Sequence, residues 1–277
     1  MSTNMKRYRL KPAFSMLELI FVIVILGIVA SIGSEMIVKV YESYIVQRAE
    51  HRATLKTELA ATQIANRLAS AIPGTVVRRT ALSGGTIEGI NDLMNQDGDA
   101  YIALQWVGKD NDSFNYQAST KPGWSGFCDI DSSSNNQIIT HGSNLGPINS
   151  TIKSNLGITT TSDFAIYFPY DTTAYYGTGT GETITLDNNT SHIVEHYKLA
   201  ISSYALVVDQ TDGHLYLYYN FDPTRGIDIQ GQRSLLMKNI STFKFKGAGR
   251  TIRFKVCKQE PISEDVNITA CKEKAVF

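Results

Sequence analysis

One apolar run, Phe14-Ser-Met-Leu-Glu-Leu-Ile-Phe-Val-Ile-Val-Ile-Leu-Gly-Ile-Val-Ala-Ser-Ile32, constrains this chain more than anything that follows it. From Leu19 to Ser34 there is no charged residue, and back to Phe14 the only one is Glu18. A helix needs about 20 mostly apolar residues to cross a bilayer core, which predicts a transmembrane segment over roughly residues 14–36. A carboxylate inside such a helix costs roughly 2.5–3.5 kcal/mol on insertion scales. Glu18 is therefore a candidate functional group that calls for a partner. The preceding residues 1–13 carry Lys6, Arg7, Arg9 and Lys11 and no acidic residue. That asymmetry predicts a cytoplasmic N-terminus with the rest of the chain exported.

A secretory signal ends its apolar core at a small-residue cleavage site. Here the helical pattern continues through Met36, Ile37, Val40, Tyr41, Tyr44 and Ile45 with no turn residue between. The basic leader, Phe14, the sequence Ser15-Met-Leu-Glu-Leu19 and the long Ile/Val/Leu run together resemble the type IV pilin and type II secretion pseudopilin family. The resemblance implies that prepilin peptidase cuts on the cytoplasmic side, between Ala13 and Phe14. Phe14 becomes an N-methylated N-terminus, and Glu18 becomes the assembly residue that neutralises the Phe14 amine of a neighbouring subunit. It also implies a structural rather than enzymatic role, with no cofactor. The implied class is a minor pilin or pseudopilin, whose partners are the peptidase, other pilin or pseudopilin subunits and the inner membrane. The head stands in the periplasm until the subunit enters a periplasmic or surface filament. Two features depart from the family's habit: Ala13 stands where Gly usually precedes the cut, and Gly33-Ser34 lies near where many members have proline. The competing expectation is an uncleaved, signal-anchored periplasmic protein that binds a ligand.

Composition bounds the rest. The chain has 26 basic and 26 acidic residues, and removal of the leader leaves 22 against 26, a mature net charge of −4. This is not the global signature of a nucleic-acid-binding protein. Three cysteines, Cys128, Cys257 and Cys271, suit an exported chain with at most one bridge. Pilin-like domains often close their C-terminal region with a disulfide, so the resemblance implies pairing of Cys257 with Cys271.

Residues 14–72 are expected to form one long helix, ended by Pro73-Gly74. Ile64, Leu68 and Ile72, with Leu55 and Leu59, offer an apolar stripe for a sheet, while Lys56 and Glu58 face water. Residues 73–277 are expected to form a β-rich head, giving an α+β, pilin-like fold. Tyr101–Val107 and Ala165–Tyr170 look like strands; 108–161, rich in Gly, Ser, Thr and Asn, looks like long surface loops with short strands, and 172–190 like another loop. Two hairpins are clear. Tyr204–Val208 and His214–Tyr219 flank one turn; Phe243–Lys246 and Thr251–Val256 flank another. In the second, Phe243, Phe245, Ile252, Phe254 and Val256 alternate with Lys244, Lys246, Arg253 and Lys255, which predicts one buried and one basic face.

That basic face is the candidate interaction surface of the head. We read it first as solvation that blunts a sheet against aggregation, next as a contact for an acidic protein partner, and last as a DNA contact. His192-Ile-Val-Glu-His196 matches a zinc-peptidase pattern. Its flanks alternate like a strand, and on a strand residues four apart are about 13 Å apart, too far for one zinc. No metal site is expected. Gly177-Thr-Gly-Thr-Gly181 fits no phosphate-loop spacing. The acidic pairs Asp97/Asp99 and Asp209/Asp212 lack a full calcium loop and read as turns.

Overall fold

Helix α1 (Met16–Leu68) begins directly after Ser15 and is continuous through Gly33 and Ser34. It stops at Leu68 rather than at 72. Ala69 and Ser70 turn, the Ser70 hydroxyl donates to the Arg67 carbonyl at 2.8 Å, and Ala71 already forms a β-bridge with Gly108. The computed structural model describes residues 15–115, 120–158, 162–190, 192–263 and 266–277. The chain divides into two compact units, Met1–Ala49 and Glu50–Phe277. Among the described residues, the first unit consists of α1 alone. The second holds the rest of α1 and an antiparallel β domain, so the chain has the α+β, pilin-like layout that the sequence suggested.

In the second unit one six-stranded sheet has the order β12-β11-β10-β3-β1-β2. Its members are β1 (Val77–Arg79), β2 (Ile87–Gly89), β3 (Ala103–Gly108), β10 (Ser202–Asp209), β11 (His214–Phe221) and β12 (Gln232–Met237). A second six-stranded sheet runs β4-β5-β8-β7-β6-β9. It contains β4 (Asp129–Ser134), β5 (Gln137–Ile139), β6 (Phe164–Tyr167), β7 (Tyr175–Thr180), β8 (Thr183–Leu186) and β9 (Lys198–Ala200). The third sheet has three strands, β13 (Ile240–Ala248), β14 (Thr251–Pro261) and β15 (Asn267–Val276), paired in that order. A short helix α2 (Asn111–Asn115) and a wide turn of helix at Ile148–Lys153 lie between strands.

The buried face of α1 in this unit is Ala53, Thr57, Ala60, Ala61, Ile64 and Leu68. Ala60, Ala61, Ile64 and Leu68 share one core with Leu104, Trp106, Leu206, Leu215, Phe243, Phe245, Phe254 and Val256. Small side chains let the strands approach the helix closely. Each buried Phe or Val contributes roughly 1.5–3 kcal/mol of burial. Leu55 and Leu59 do not join this stripe and are 56% and 61% exposed. At roughly 100° per residue, Leu55 lies about 200° around the helix from Thr57, on the opposite side.

The short strands expected within 108–161 are β4 and β5, whereas 172–190, expected to be a loop, instead forms β7 and β8 of the second six-stranded sheet. Its own core gathers Trp124, Ile138, Leu145, Phe164, Ile166, Ile184 and Leu199. Gly177 and Gly179 of Gly177-Thr-Gly-Thr-Gly181 belong to this packing, whereas Gly181 lies in the turn that follows. A Cβ on Gly177 would stand 2.5 Å from the Thr185 carbonyl, and one on Gly179 would stand 2.6 Å from the Leu145 Cβ. The segment is thus a strand because the neighbouring strand and loop come so close that only glycine fits.

Candidate functional site

Two surfaces carry the chemistry singled out by sequence: the start of α1 and the outer face of the three-stranded sheet. At the start of α1, the Glu18 N–H donates to the Ser15 hydroxyl at 3.2 Å. Ser15 is thus the N-cap, and Ser-Met-Leu-Glu is the sequence of a capping box. That signal identifies the helix start directly, and the carboxylate of Glu18 sits in the first turn, where the helix dipole favours negative charge. Ala13 and Phe14, the expected cleavage and methylation residues, lie outside the described residues.

Beyond the cap, the large apolar side chains from Met16 to Ile32 are all exposed, Met16 at 87% and Ile32 at 53%. An 18-residue window of this helix has a mean hydropathy of 2.7, and none of it is buried within the chain. Such a helix is long and apolar enough to cross a membrane. The first charge after Glu18 is Glu35, which pairs with Lys39 at 2.8 Å one turn later. Exposed apolar residues continue at Met36, Ile37, Val38, Val40, Tyr41 and Tyr44.

On the three-stranded sheet, the register sets Lys244 opposite Lys255 and Lys246 opposite Arg253. Phe243 opposes Val256 and Phe245 opposes Phe254 on the buried side. The next strand sets Glu273 opposite Lys255 and Cys271 opposite Cys257. Lys244 is paired with Asp99, from the loop before β3. Lys246, Arg253 and Lys255 are exposed, and no carboxylate among the described residues lies within ion-pair distance of them. A groove of about 290 Å³ is lined by the four basic residues and Glu273 together with Met94, Gly98, Tyr101, Phe245 and Phe254.

Cys257 and Cys271 are joined by a disulfide, and Cys128 is a buried free thiol whose pKa burial pushes up. His192 to Glu195 form neither helix nor regular strand, and strand β9 begins only at Lys198. His196 makes a lone bridge to Phe127, and the two rings pack with centroids 4.9 Å apart. No group of three or more His, Cys, Asp or Glu side chains among the described residues is arranged to hold a metal ion. Asp209 and Asp212 bond within their turn, accepting from the Thr211 and His214 N–H groups at 2.9 and 2.8 Å.

Three polar clusters escaped the sequence reading. Lys272 and Lys274 on β15 both reach Glu58 of α1, at 2.7 and 2.8 Å. Buried Arg78 donates to Glu88 at 2.8 Å, and the Tyr101 hydroxyl donates to the same carboxylate at 2.7 Å. His141 stands between Glu182, at 3.2 Å, and Asp129, at 3.3 Å, and both carboxylates raise its pKa. Only the first had a possible signal, the alternation of Lys272 and Lys274 with the exposed Glu273. Compared with known proteins, the chain matches no family model, no curated protein and no solved structure.

Proposed function

We propose that this chain is a structural, non-enzymatic subunit, a minor pilin or pseudopilin, of a type IV pilus or type II secretion filament. The observation that carries the reading is the start of α1: a capped apolar helix, exposed along the whole membrane-length run, whose one carboxylate is Glu18. Such a surface is satisfied by lipid or by other helices of its own kind, and its carboxylate calls for a cation inside that environment.

In this account prepilin peptidase removes residues 1–13, and Phe14 becomes the methylated N-terminus. The subunit waits in the inner membrane with its head in the periplasm. On extraction into a filament, Glu18 meets the amine of a neighbouring Phe14. That pairing offsets the desolvation of both charges and fixes the axial register between subunits. The acidic residue thereby discriminates the correct stagger from the many others that an all-apolar helix would accept.

The test is Glu18→Ala alongside Glu18→Gln in the native host, with membrane and sheared-filament fractions compared. The expected result is normal membrane retention with loss of the protein from the filament fraction. Normal incorporation of both variants would remove the pairing role.

A further inference from the structure

We propose that the outer face of the three-stranded sheet is a docking groove for an extended, acidic segment of a protein partner. The proposal does not depend on the filament reading, because every residue it uses lies in the Glu50–Phe277 unit.

The first observation is an electrostatic cost. Like charges placed directly opposite on antiparallel strands destabilise a sheet. Here two such pairs stand side by side, Lys244 with Lys255 and Lys246 with Arg253. Lys244 is compensated by an ion pair to Asp99 and Lys255 has Glu273 opposite it on β15, which leaves Lys246 and Arg253 as the pair with no opposed carboxylate among the described residues. In a chain whose charges balance at 26 against 26, this is a local concentration of cations that the fold does not need. A solvated face needs polar side chains, and Thr, Ser or Glu at two of these positions would supply them without repulsion.

The second observation is shape. The cations share a groove of about 290 Å³ with Met94, Gly98 and Tyr101, from the segment before β3, and with Phe245 and Phe254. Met94 is 45% exposed and gives the groove an apolar surface. A groove lined by both cations and apolar side chains matches a segment that combines carboxylates with an apolar side chain.

Dimensions then choose between classes of polyanion. The four cations cover about 5 Å across the strands and about 7 Å along them. An extended peptide shows same-side residues every two positions, also about 7 Å apart. Carboxylates at alternate positions of such a peptide therefore match the spacing of Arg253 and Lys255. A DNA duplex is much larger, with a major groove about 12 Å wide and phosphates that continue along the helix.

The experiment uses the full chain in detergent and a fluorescein-labelled Glu-Ser-Glu-Ser-Glu-Leu peptide, followed by fluorescence anisotropy. Its Gln-for-Glu counterpart and a short DNA duplex serve as competing probes. The expected result is saturable binding of the Glu peptide, weakened at least about tenfold in K246E/R253E, which is about 1.4 kcal/mol. K246Q/R253Q, with an unchanged Tm, gives a smaller loss and guards against a folding defect. Equal binding of the Glu and Gln peptides, no effect of either double variant, or no binding at all would overturn the proposal. Tighter, variant-sensitive binding of the duplex would also overturn it, assigning the face to nucleic acid instead.

Discussion

Lys274 of β15 donates to Glu58 of α1 at 2.8 Å, and Lys272, two residues earlier on the same side of the strand, reaches the other carboxylate oxygen at 2.7 Å. Lys274 also donates to the Thr62 hydroxyl at 2.8 Å, one turn along the helix. The last strand of the chain is thereby clamped to α1. The hydrogen bonds from Lys272 and Lys274 hold the Glu58 pKa down to about 2, from an ordinary value of 4.5.

A depressed carboxylate pKa stabilises the folded state above the unfolded value, and this contribution is lost as pH falls through the folded one. The wild-type protein is expected to have a higher Tm than Glu58→Gln at pH 6. The difference should shrink between pH 4.5 and about 2. Thermal melts of both proteins across that range check the sign, and a gap that widens on acidification would contradict it.

Tyr101 tests the buried network. Its hydroxyl donates to Glu88, the first cause of that carboxylate's lowered pKa, and Arg78 supports it from the other side. A hydrogen bond to a charged partner is worth about 1.5–3 kcal/mol. Tyr101→Phe should therefore lower Tm by several degrees, at roughly 2–4 °C per kcal/mol for a domain of this size. Glu88→Gln should cost more, because it leaves the Arg78 charge buried without its counter-ion.

These relationships mark where the sequence was readable. The Phe/Lys alternation of β13 and β14 was legible because one face is apolar and the other charged, and the register is the one that alternation requires. The first hairpin was legible from its turn, Asp209-Gln-Thr-Asp-Gly213, between two apolar and aromatic runs. The second six-stranded sheet was legible only in part, at β6 and as unplaced short strands within 108–161, because β4 and β7 carry Gly, Ser and Thr where propensity favours branched or aromatic residues. Arg78 and Arg79 were also opaque: adjacent charges suggest a surface, yet alternation sends them to opposite faces, where Glu88 and Asp228 meet them. On α1, the apolar Leu55 and Leu59 drew attention from the alanines that make the contact. At the helix start, Glu18 was legible as the one charge in the apolar run, while the partner of an exposed apolar helix lies outside any single chain.

Gly179→Ala probes the close packing of that second sheet. The added Cβ would stand 2.6 Å from the Leu145 Cβ and 3.0 Å from the Phe164 ring. Overpacking of this kind costs roughly 1–3 kcal/mol. A denaturant midpoint that shifts down with an unchanged slope is the expected outcome.

The disulfide gives a fourth prediction. Cys257 and Cys271, 14 residues apart, close a short loop between paired strands. In the chain-entropy model such a loop contributes about 3 kcal/mol. The double variant C257A/C271A should melt several degrees lower. Thiol titration of the unreduced, denatured wild type should find only Cys128.

The central claim rests on what happens at Phe14, and the intact mass of the chain recovered from its native membrane tests it most directly. The account predicts a mature protein that begins at Phe14, lacks residues 1–13 and carries one added methyl group on its N-terminal amine. A chain recovered with its leader intact and its first residues unmodified would contradict the filament-subunit reading and leave a signal-anchored protein in its place.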